Sequence, residues 1–239
     1  MTPSAWAESE IAEAVRFPSG RLTLEGRLCY PETGDVCGAV VLAGPHPMLG
    51  GDMDNNVIRG LSAGLARREV ATLCFNYRGV GASEGPPADV TANLAEFWAT
   101  SHTANEVEFA DDLRAATTAL GNFIENEHRV GLVGYSFGCS LLATAANPEC
   151  PLVLVAPTVG RHDYTAFARV PNPMLVIAPD GDFATDTNRV TDWFATLRAP
   201  KRLVRGEWDA HFFRGFEDRL AETVFAFLRE QWEGIVLLN

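Results

Sequence analysis

The stretch RVGLVGYSFGCSLLATAAN, from Arg129 to Asn147, runs from apolar residues through small residues into sequence of helical composition. At its centre lies GYSFG, residues 134–138. A sharp turn between a strand and a helix leaves room only for glycine at 134 and 138, and it lifts the Ser136 hydroxyl above the end of the strand. The pattern predicts a nucleophilic serine, although a purely structural tight turn would also use small residues here.

The rest of the chain repeats the same alternation of apolar runs and helical patterns. The apolar runs are GAVVLAG (38–44), VATLCFNY (70–77), RVGLVGY (129–135), PLVLVAP (151–157), PMLVIAP (173–179) and KRLVRG (201–206). Nearly continuous apolar runs are typical of parallel strands that are covered on both faces. Together with the antiparallel hairpin that AVRFPSGRLTLEGRLCYP (14–31) predicts, they indicate an α/β fold. Its mostly parallel, doubly wound sheet would carry helices on both faces.

Length and internal organisation predict one domain over residues 1–239, since there is no repeat and no low-complexity linker. The segment Pro86–Ala104 is longer than a simple connection. It predicts a small lid loop at 86–104, with surface packing as the alternative. The apolar end IVLLN (235–239) packs either on its own domain or on a second subunit, so a homodimer is a further hypothesis.

Charge and cysteine usage exclude several classes of partner. The formal net charge of -12 argues against binding to nucleic acid or to anionic membranes. The five cysteines are scattered without paired spacing, which is typical of free thiols in a reducing compartment. No signal-peptide pattern or membrane-length apolar run is present, so we expect a soluble cytoplasmic protein.

A serine nucleophile needs a base, and position sorts the histidines. His211, in GEWDAHFFRG (206–215), falls between the last strand and the last helix, at the carboxyl edge of the predicted sheet. His128 precedes its strand and would lie at the opposite edge, and His102 lies in the irregular segment. His162 follows a strand at the correct edge but has no rigid mount in its sequence context. We therefore predict His211 as the base.

The base in turn needs a carboxylate that fixes its tautomer. PMLVIAPDGDFATD (173–186) places Asp180 and Asp182 just after a strand, and we favour Asp182. Asp180, which precedes Gly181, can instead shape the turn through its side chain. Asp209 is only two residues from His211 and is poorly placed to hold the ring from behind.

When a serine attacks a carbonyl group, the carbonyl oxygen becomes negatively charged, and backbone amides are expected to stabilise this oxyanion. The Phe137 amide lies at the start of the helix after the serine. A second donor is expected from the loop after the first parallel strand. Because Pro45 and Pro47 have no N–H, His46 and Met48 remain, and we favour His46.

Five ordered motifs together resemble the α/β-hydrolase superfamily, and in particular its small, cap-less bacterial members near the dienelactone-hydrolase and esterase branch. The motifs are GPHPMLGGDMDNNV (44–57), NYRGVGASEG (76–85), GYSFG (134–138), APDGD (178–182) and DAHFF (209–213). The resemblance implies the α/β-hydrolase fold and the chain order Ser136, Asp182, His211. This sequence departs from the family pattern at Gly44, where close relatives often carry a further histidine. Arg78 is expected to order neighbouring loops rather than to bind an anion.

These residues predict hydrolysis of an acyl bond through an acyl-enzyme, with no metal and no organic cofactor. The expected substrate is a small to medium apolar ester, and Met48, Phe97 and Trp98 are the predicted contacts. A thioester, lactone, amide or carbon–carbon bond would suit the same triad. A non-catalytic ligand binder is an alternative of another class, because the fold alone does not specify function.

Overall fold

The structure is a computed structural model that describes residues 10–32, 36–87, 90–103, 106–124, 129–198, 200–206, 208 and 210–236. Within these ranges the strands are β1 Glu10–Ser19, β2 Leu22–Pro31, β3 Gly38–Ala43, β4 Val70–Phe75, β5 Val130–Tyr135, β6 Leu152–Val155, β7 Met174–Pro179 and β8 Lys201–Gly206. The α-helices are α1 Asn56–Ala66, α2 Val90–Thr100, α3 Glu106–Phe123, α4 Gly138–Ala145, α5 Thr187–Thr196 and α6 Glu217–Val236.

The strands form one sheet in the order β1-β2-β4-β3-β5-β6-β7-β8. The β1–β2 hairpin is antiparallel, and β2 joins β4 antiparallel, whereas β3 to β8 all run parallel. The predicted α/β fold with an N-terminal hairpin and a mostly parallel sheet is therefore confirmed, and each predicted apolar run forms a strand.

The apolar runs are continuous because two hydrophobic layers cover the sheet. Val41 and Leu73 face the layer that contains residues of α3 and α4, whereas Val40 and Leu42 face the layer of α1 and α6. Every residue of β3 is buried as a result. The exception is β8, which lies at the edge of the sheet and contains only partly buried and exposed residues.

The sheet order reverses around β3 and β5. The chain passes from β3 to β4 on one side, and from β5 to β6 on the other. In doubly wound sheets a crevice opens at such a point, beyond the carboxyl ends of the strands. Ser136 directly follows β5, and the loop with His46 follows β3, so both lie at this point.

The segment 86–104 differs from the predicted loop, because most of it forms α2. Phe97 packs inward from this helix and is buried, while Trp98 is exposed. The apolar periodicity of this segment is weak, which explains why its helix escaped prediction. A lid function stays a prediction, as does the organisation of residues 1–239 as one domain.

At the C-terminal end α6 continues through Val236, and the last three residues of IVLLN lie outside the described ranges. None of the helices in the described part of the chain combines the length and apolar composition needed to cross a membrane.

Candidate active site

Ser136 occupies a strained backbone conformation between β5 and α4. Its φ is 55°, a left-handed value that costs a residue with a side chain about 1–3 kcal/mol. A Cβ at position 138 would lie 2.2 Å from the carbonyl oxygen of Ala43. The turn thus requires glycine at 138 for space. At 136 a glycine would be less strained, so the strain is a reason to attribute a role to the serine side chain.

The structure brings Ser136, His211 and Asp182 together at the carboxyl edge of the sheet. His211 Nε2 lies 2.9 Å from Ser136 Oγ. Its Nδ1 lies 2.9 and 3.0 Å from the two carboxylate oxygens of Asp182. Because a carboxylate only accepts hydrogen bonds, Nδ1 carries the proton and the lone pair of Nε2 faces the serine hydroxyl.

Neighbouring groups hold this arrangement in place. The Ala184 amide donates to Asp182 Oδ1 at 2.7 Å, and the Tyr135 hydroxyl donates to the His211 carbonyl at 3.0 Å. The His211 and Asp182 side chains are 7% and 4% exposed, so their interaction is shielded from water.

The alternative carboxylate, Asp180, points elsewhere. It forms an ion pair with Arg205 at 3.0 Å in an exposed position, and its amide donates to the Gly206 carbonyl at 2.9 Å. It therefore shapes the edge of β7 and β8. Two other residues considered in the sequence, His128 and Asp209, lie outside the described residues.

The loop after β3 contains His46, which caps a short 3-10 turn over Pro47–Leu49. The Met48 amide donates to His46 Nδ1 at 3.0 Å, and His46 Nε2 donates to Glu106 Oε1 at 3.1 Å. The Met48 amide is thus already engaged. Of the two predicted donors, the amide of His46 therefore stays the preferred one.

Glu106, the first residue of α3, is a functional candidate that sequence reasoning missed. It also accepts a hydrogen bond from His102 Nδ1 at 2.9 Å and one from the Thr103 amide at 2.9 Å. Burial acts to raise the pKa of Glu106, but the hydrogen bonds from His46, His102 and Thr103 outweigh it and lower that pKa. The His102–Glu106 spacing of four residues was visible in the sequence, whereas the contact with His46 was not.

His162 lies beside this group and shares a 5.0 Å ring separation with both His102 and Phe137. Its Nδ1 lies 2.9 Å from Thr158 Oγ1. Burial lowers the pKa of His162 to about 4, against the opposing effect of the Glu106 carboxylate. The ring is therefore neutral at neutral pH.

The predicted substrate contacts divide into buried and exposed residues. Met48 and Phe97 are buried, and the Phe97 ring lies 4.8 Å from that of His46. Trp98 is 70% exposed. Two exposed aromatic residues that sequence reasoning did not select, Phe183 and Phe212, lie 5.4 Å apart and flank His211.

Arg78, in the NYRGVGASEG motif, is occupied by structural partners. Its guanidinium contacts the buried Asp112 at 2.8 Å and Glu108 at 3.2 Å, and its amide also donates to Asp112. Asp112 in turn accepts from Ser19. These contacts join the β1–β2 hairpin, the loop after β4 and α3, in agreement with the ordering role expected for this arginine.

Comparisons with known proteins agree with this fold. A serine hydrolase homologue from Coxiella burnetii has 25% identity, a TM-score of 0.73 and coverage of 91% of this chain and 96% of its own. A Xanthomonas campestris serine hydrolase described as lacking a lid has 26% identity and a TM-score of 0.73, with 95% and 97% covered. Dienelactone hydrolase from Anabaena variabilis, at 22% identity and a TM-score of 0.71, shares the fold over 93% and 99% of the two chains.

An uncharacterized protein of Rickettsia prowazekii is 25% identical over 224 residues, which cover 88% of this chain and 85% of the relative. A model of the "Alpha/beta hydrolase family" matches residues 40–236, which include the turn at Ser136 and the loops that carry Asp182 and His211. The chain therefore belongs to the alpha/beta hydrolase family.

Proposed function

We propose that the protein is a serine hydrolase that cleaves a carboxylic ester, or a related acyl bond, of a small to medium apolar substrate. The observation that carries this proposal is the unbroken chain of hydrogen bonds from Asp182 through His211 to Ser136, which ends on a strained serine. A serine in a merely structural turn would need neither the strain nor a buried histidine–carboxylate pair behind it.

In the first step, Ser136 Oγ attacks the substrate carbonyl carbon while His211 Nε2 takes the hydroxyl proton. Collapse of the tetrahedral intermediate breaks the bond to the leaving group, which receives that proton from His211. Water then attacks the acyl-enzyme by the same route, and Ser136 regains its proton when the acid departs. Asp182 stays ionised throughout and stabilises the imidazolium. No step requires a metal ion or an organic cofactor.

The oxyanion is proposed to bind between the amides of Phe137 and His46. The Phe137 amide belongs to the start of α4, where helical geometry leaves the first N–H groups without intrahelical acceptors. The His46 amide approaches from the loop after β3, and the contact of the two rings at 4.5 Å keeps these segments adjacent. Loss of one such donor typically costs about 2.7–4 kcal/mol in the barrier.

The proposed substrate class is supported by the surroundings of His211 and of the 3-10 turn over Pro47–Leu49. Large apolar side chains are exposed here at Phe183 and Phe212, which flank His211. Leu49 on the 3-10 turn and Trp98 on α2 are exposed as well. Isolated exposed apolar residues are ordinary on protein surfaces, but two that flank His211, with two more on the 3-10 turn and on α2, favour an apolar acyl or leaving group. Met48 and Phe97 are proposed to support this surface from beneath.

The direct test is labelling with a fluorophosphonate probe, combined with hydrolysis of a short p-nitrophenyl ester. Wild-type protein should be labelled on Ser136 and should turn over the ester, and Ser136→Ala should abolish both. Ser140→Ala, on the neighbouring α4, is the matched control and should still be labelled. Folded wild-type protein that stays unlabelled would refute the mechanism.

The same experiment, extended to a panel of esters, thioesters, lactones, amides and 1,3-diketones, distinguishes the bond that is cleaved. We expect the highest kcat/KM on an ester with an apolar acyl chain. Saturable binding of these compounds with no turnover on any of them would instead identify a non-catalytic binder. The homodimer and the cytoplasmic location remain hypotheses.

A further inference from the structure

We propose that His102, Glu106 and His162 form a binding site for a divalent transition-metal ion of the zinc type. One ligand atom from each residue, two imidazole nitrogens and a carboxylate oxygen, lies within 4.8 Å of the others. Zinc–ligand bonds of about 2.0–2.2 Å require the donors to be roughly 3.3 Å apart in a tetrahedral site. Small side-chain rotations would therefore bring the three ligand atoms from within 4.8 Å of one another to the distance that a bound zinc ion requires.

The donor atom of His162 is already prepared for a ligand. Its Nδ1 lies 2.9 Å from Thr158 Oγ1, and in the tautomer in which Nδ1 donates to that oxygen the lone pair of the ring lies on Nε2. That Nε2 is buried and forms no hydrogen bond with any residue in the described ranges. A buried, unsatisfied nitrogen costs free energy unless something binds it, and a ligating histidine commonly has its other nitrogen hydrogen-bonded in this way.

The Glu106 carboxylate is oriented by partners on one of its oxygens. Oε1 accepts from His46 Nε2 and from the Thr103 amide, while Oε2 faces His102 Nδ1. A metal ion would replace the proton that His102 Nδ1 now donates to Oε2. Since the His102 side chain is 46% exposed, its ring is free to rotate toward the metal and a solvent molecule can complete the coordination.

The composition of the donor set selects the metal. Two imidazoles and one carboxylate suit zinc and its neighbours, whereas calcium and magnesium prefer oxygen ligands only. The three residues come from the segment after α2, the start of α3 and the loop after β6. A bound ion would therefore cross-link these segments beside the turn at Ser136. Hydrolysis itself is not routed through the ion.

The site is tested on untagged, chelator-treated protein by calorimetric titration with Zn²⁺ and by the absorption spectrum with Co²⁺. We expect one saturable ion per chain, a visible Co²⁺ band typical of nitrogen and oxygen ligands, and a Zn²⁺-dependent rise in Tm. His162→Phe and His102→Gln should each weaken binding at least ~10-fold. Two ligand variants are used so that one misfolded protein does not decide the result.

Glu96→Gln, an exposed carboxylate on α2, is the matched control and should bind as wild type does. Ser136→Ala should also bind normally, so this proposal and the hydrolase proposal fail independently. The metal site is overturned if wild type shows no saturable binding, or if both ligand variants, folded by circular dichroism, bind as tightly as wild type. A thiolate charge-transfer band with Co²⁺ would overturn it as well, because it would place the ion on cysteine.

Discussion

Two histidine–carboxylate pairs flank the same serine turn, and they differ in what the second ring nitrogen faces. His211 contacts Asp182 at 2.9 Å and turns Nε2 toward Ser136. His46 Nε2 contacts Glu106 at 3.1 Å, but its Nδ1 accepts a hydrogen bond from the Met48 amide. Both histidines are buried. Pairing with a carboxylate therefore does not define a base; the decisive property is a lone pair left free toward the nucleophile.

The largest effect should separate the two histidines. His211→Gln removes the proposed base, and we expect kcat for a p-nitrophenyl ester to fall roughly 10⁴- to 10⁶-fold. His46→Gln leaves the backbone amide in place and disturbs only its support, so a loss of roughly 10- to 100-fold is expected. Equal losses in the two variants would contradict the assignment of roles, provided that both variants fold.

The two carboxylates should differ in the same direction. Asp182→Asn keeps the shape but presents a donor to Nδ1, which favours the wrong tautomer and should lower kcat about 10⁴-fold. Glu106→Gln weakens one charge-assisted hydrogen bond to His46, worth about 1.5 kcal/mol, which corresponds to about tenfold in rate. Steady-state kinetics on both variants, with Glu96→Gln as an unaffected control, measures the difference. A larger loss in Glu106→Gln than in Asp182→Asn would reverse the comparison.

The third test concerns the contact that joins the serine turn to the His46 loop. A methyl group at position 138 would lie 2.2 Å from the Ala43 carbonyl oxygen and 2.7 Å from that of Gly44. Because backbone cannot rotate away, Gly138→Ala should lower the free energy of unfolding by about 3 kcal/mol. In contrast, Gly121→Ala in α3 meets no atom within 4 Å and should raise it by about 0.5–1 kcal/mol. Urea unfolding of both variants gives the two values, and similar stability of the two would show that the turn is adaptable.

Sequence reasoning could establish the sheet and the His211 side of the site, because both follow from order along the chain. Ser136 directly follows a parallel strand, and Asp182 and His211 lie in the loops after two others. The carboxyl ends of parallel strands meet at one edge. The predicted alternation of apolar and helical segments was confirmed for the same reason. A serine, an acid and a histidine in that order were sufficient to expect their contact.

The Glu106 side could not be predicted, because it depends on how helices of weak amphipathicity pack. Glu106 lies 60 residues from His46 in the sequence, and no strand end fixes its position. The exposed aromatic residues Phe183 and Phe212 were likewise indistinguishable from core residues by type alone. Their exposed positions beside His211 depend on the conformations of the loops after β7 and β8.

The last test concerns His162, which lies on the Glu106 side and has a pKa near 4 in the folded protein, below its ordinary 6.5. Between these values the unfolded chain binds more protons than the folded one. The contribution of His162 to the free energy of unfolding should therefore be constant above pH 6.5, fall as the pH drops from 6.5 to 4, and level off below 4. The shift sets an upper limit of about 3 kcal/mol, and solvent contact of the partly exposed ring reduces the expected loss to about 2 kcal/mol.

Urea unfolding at several pH values, with a chelator present, tests this expectation. His162→Gln removes the titrating group, so its loss of stability between pH 6.5 and 4 should be smaller than that of wild type by about 2 kcal/mol. The lowered pKa of Glu106 acts in the same direction, but only below its ordinary value of 4.5, so most of the window reports on His162. Parallel pH profiles for wild type and His162→Gln would show that folding leaves the pKa of His162 at its ordinary value, as expected for a solvated ring. The Glu106 side would then be an open surface, in contrast to the shielded His211 pair.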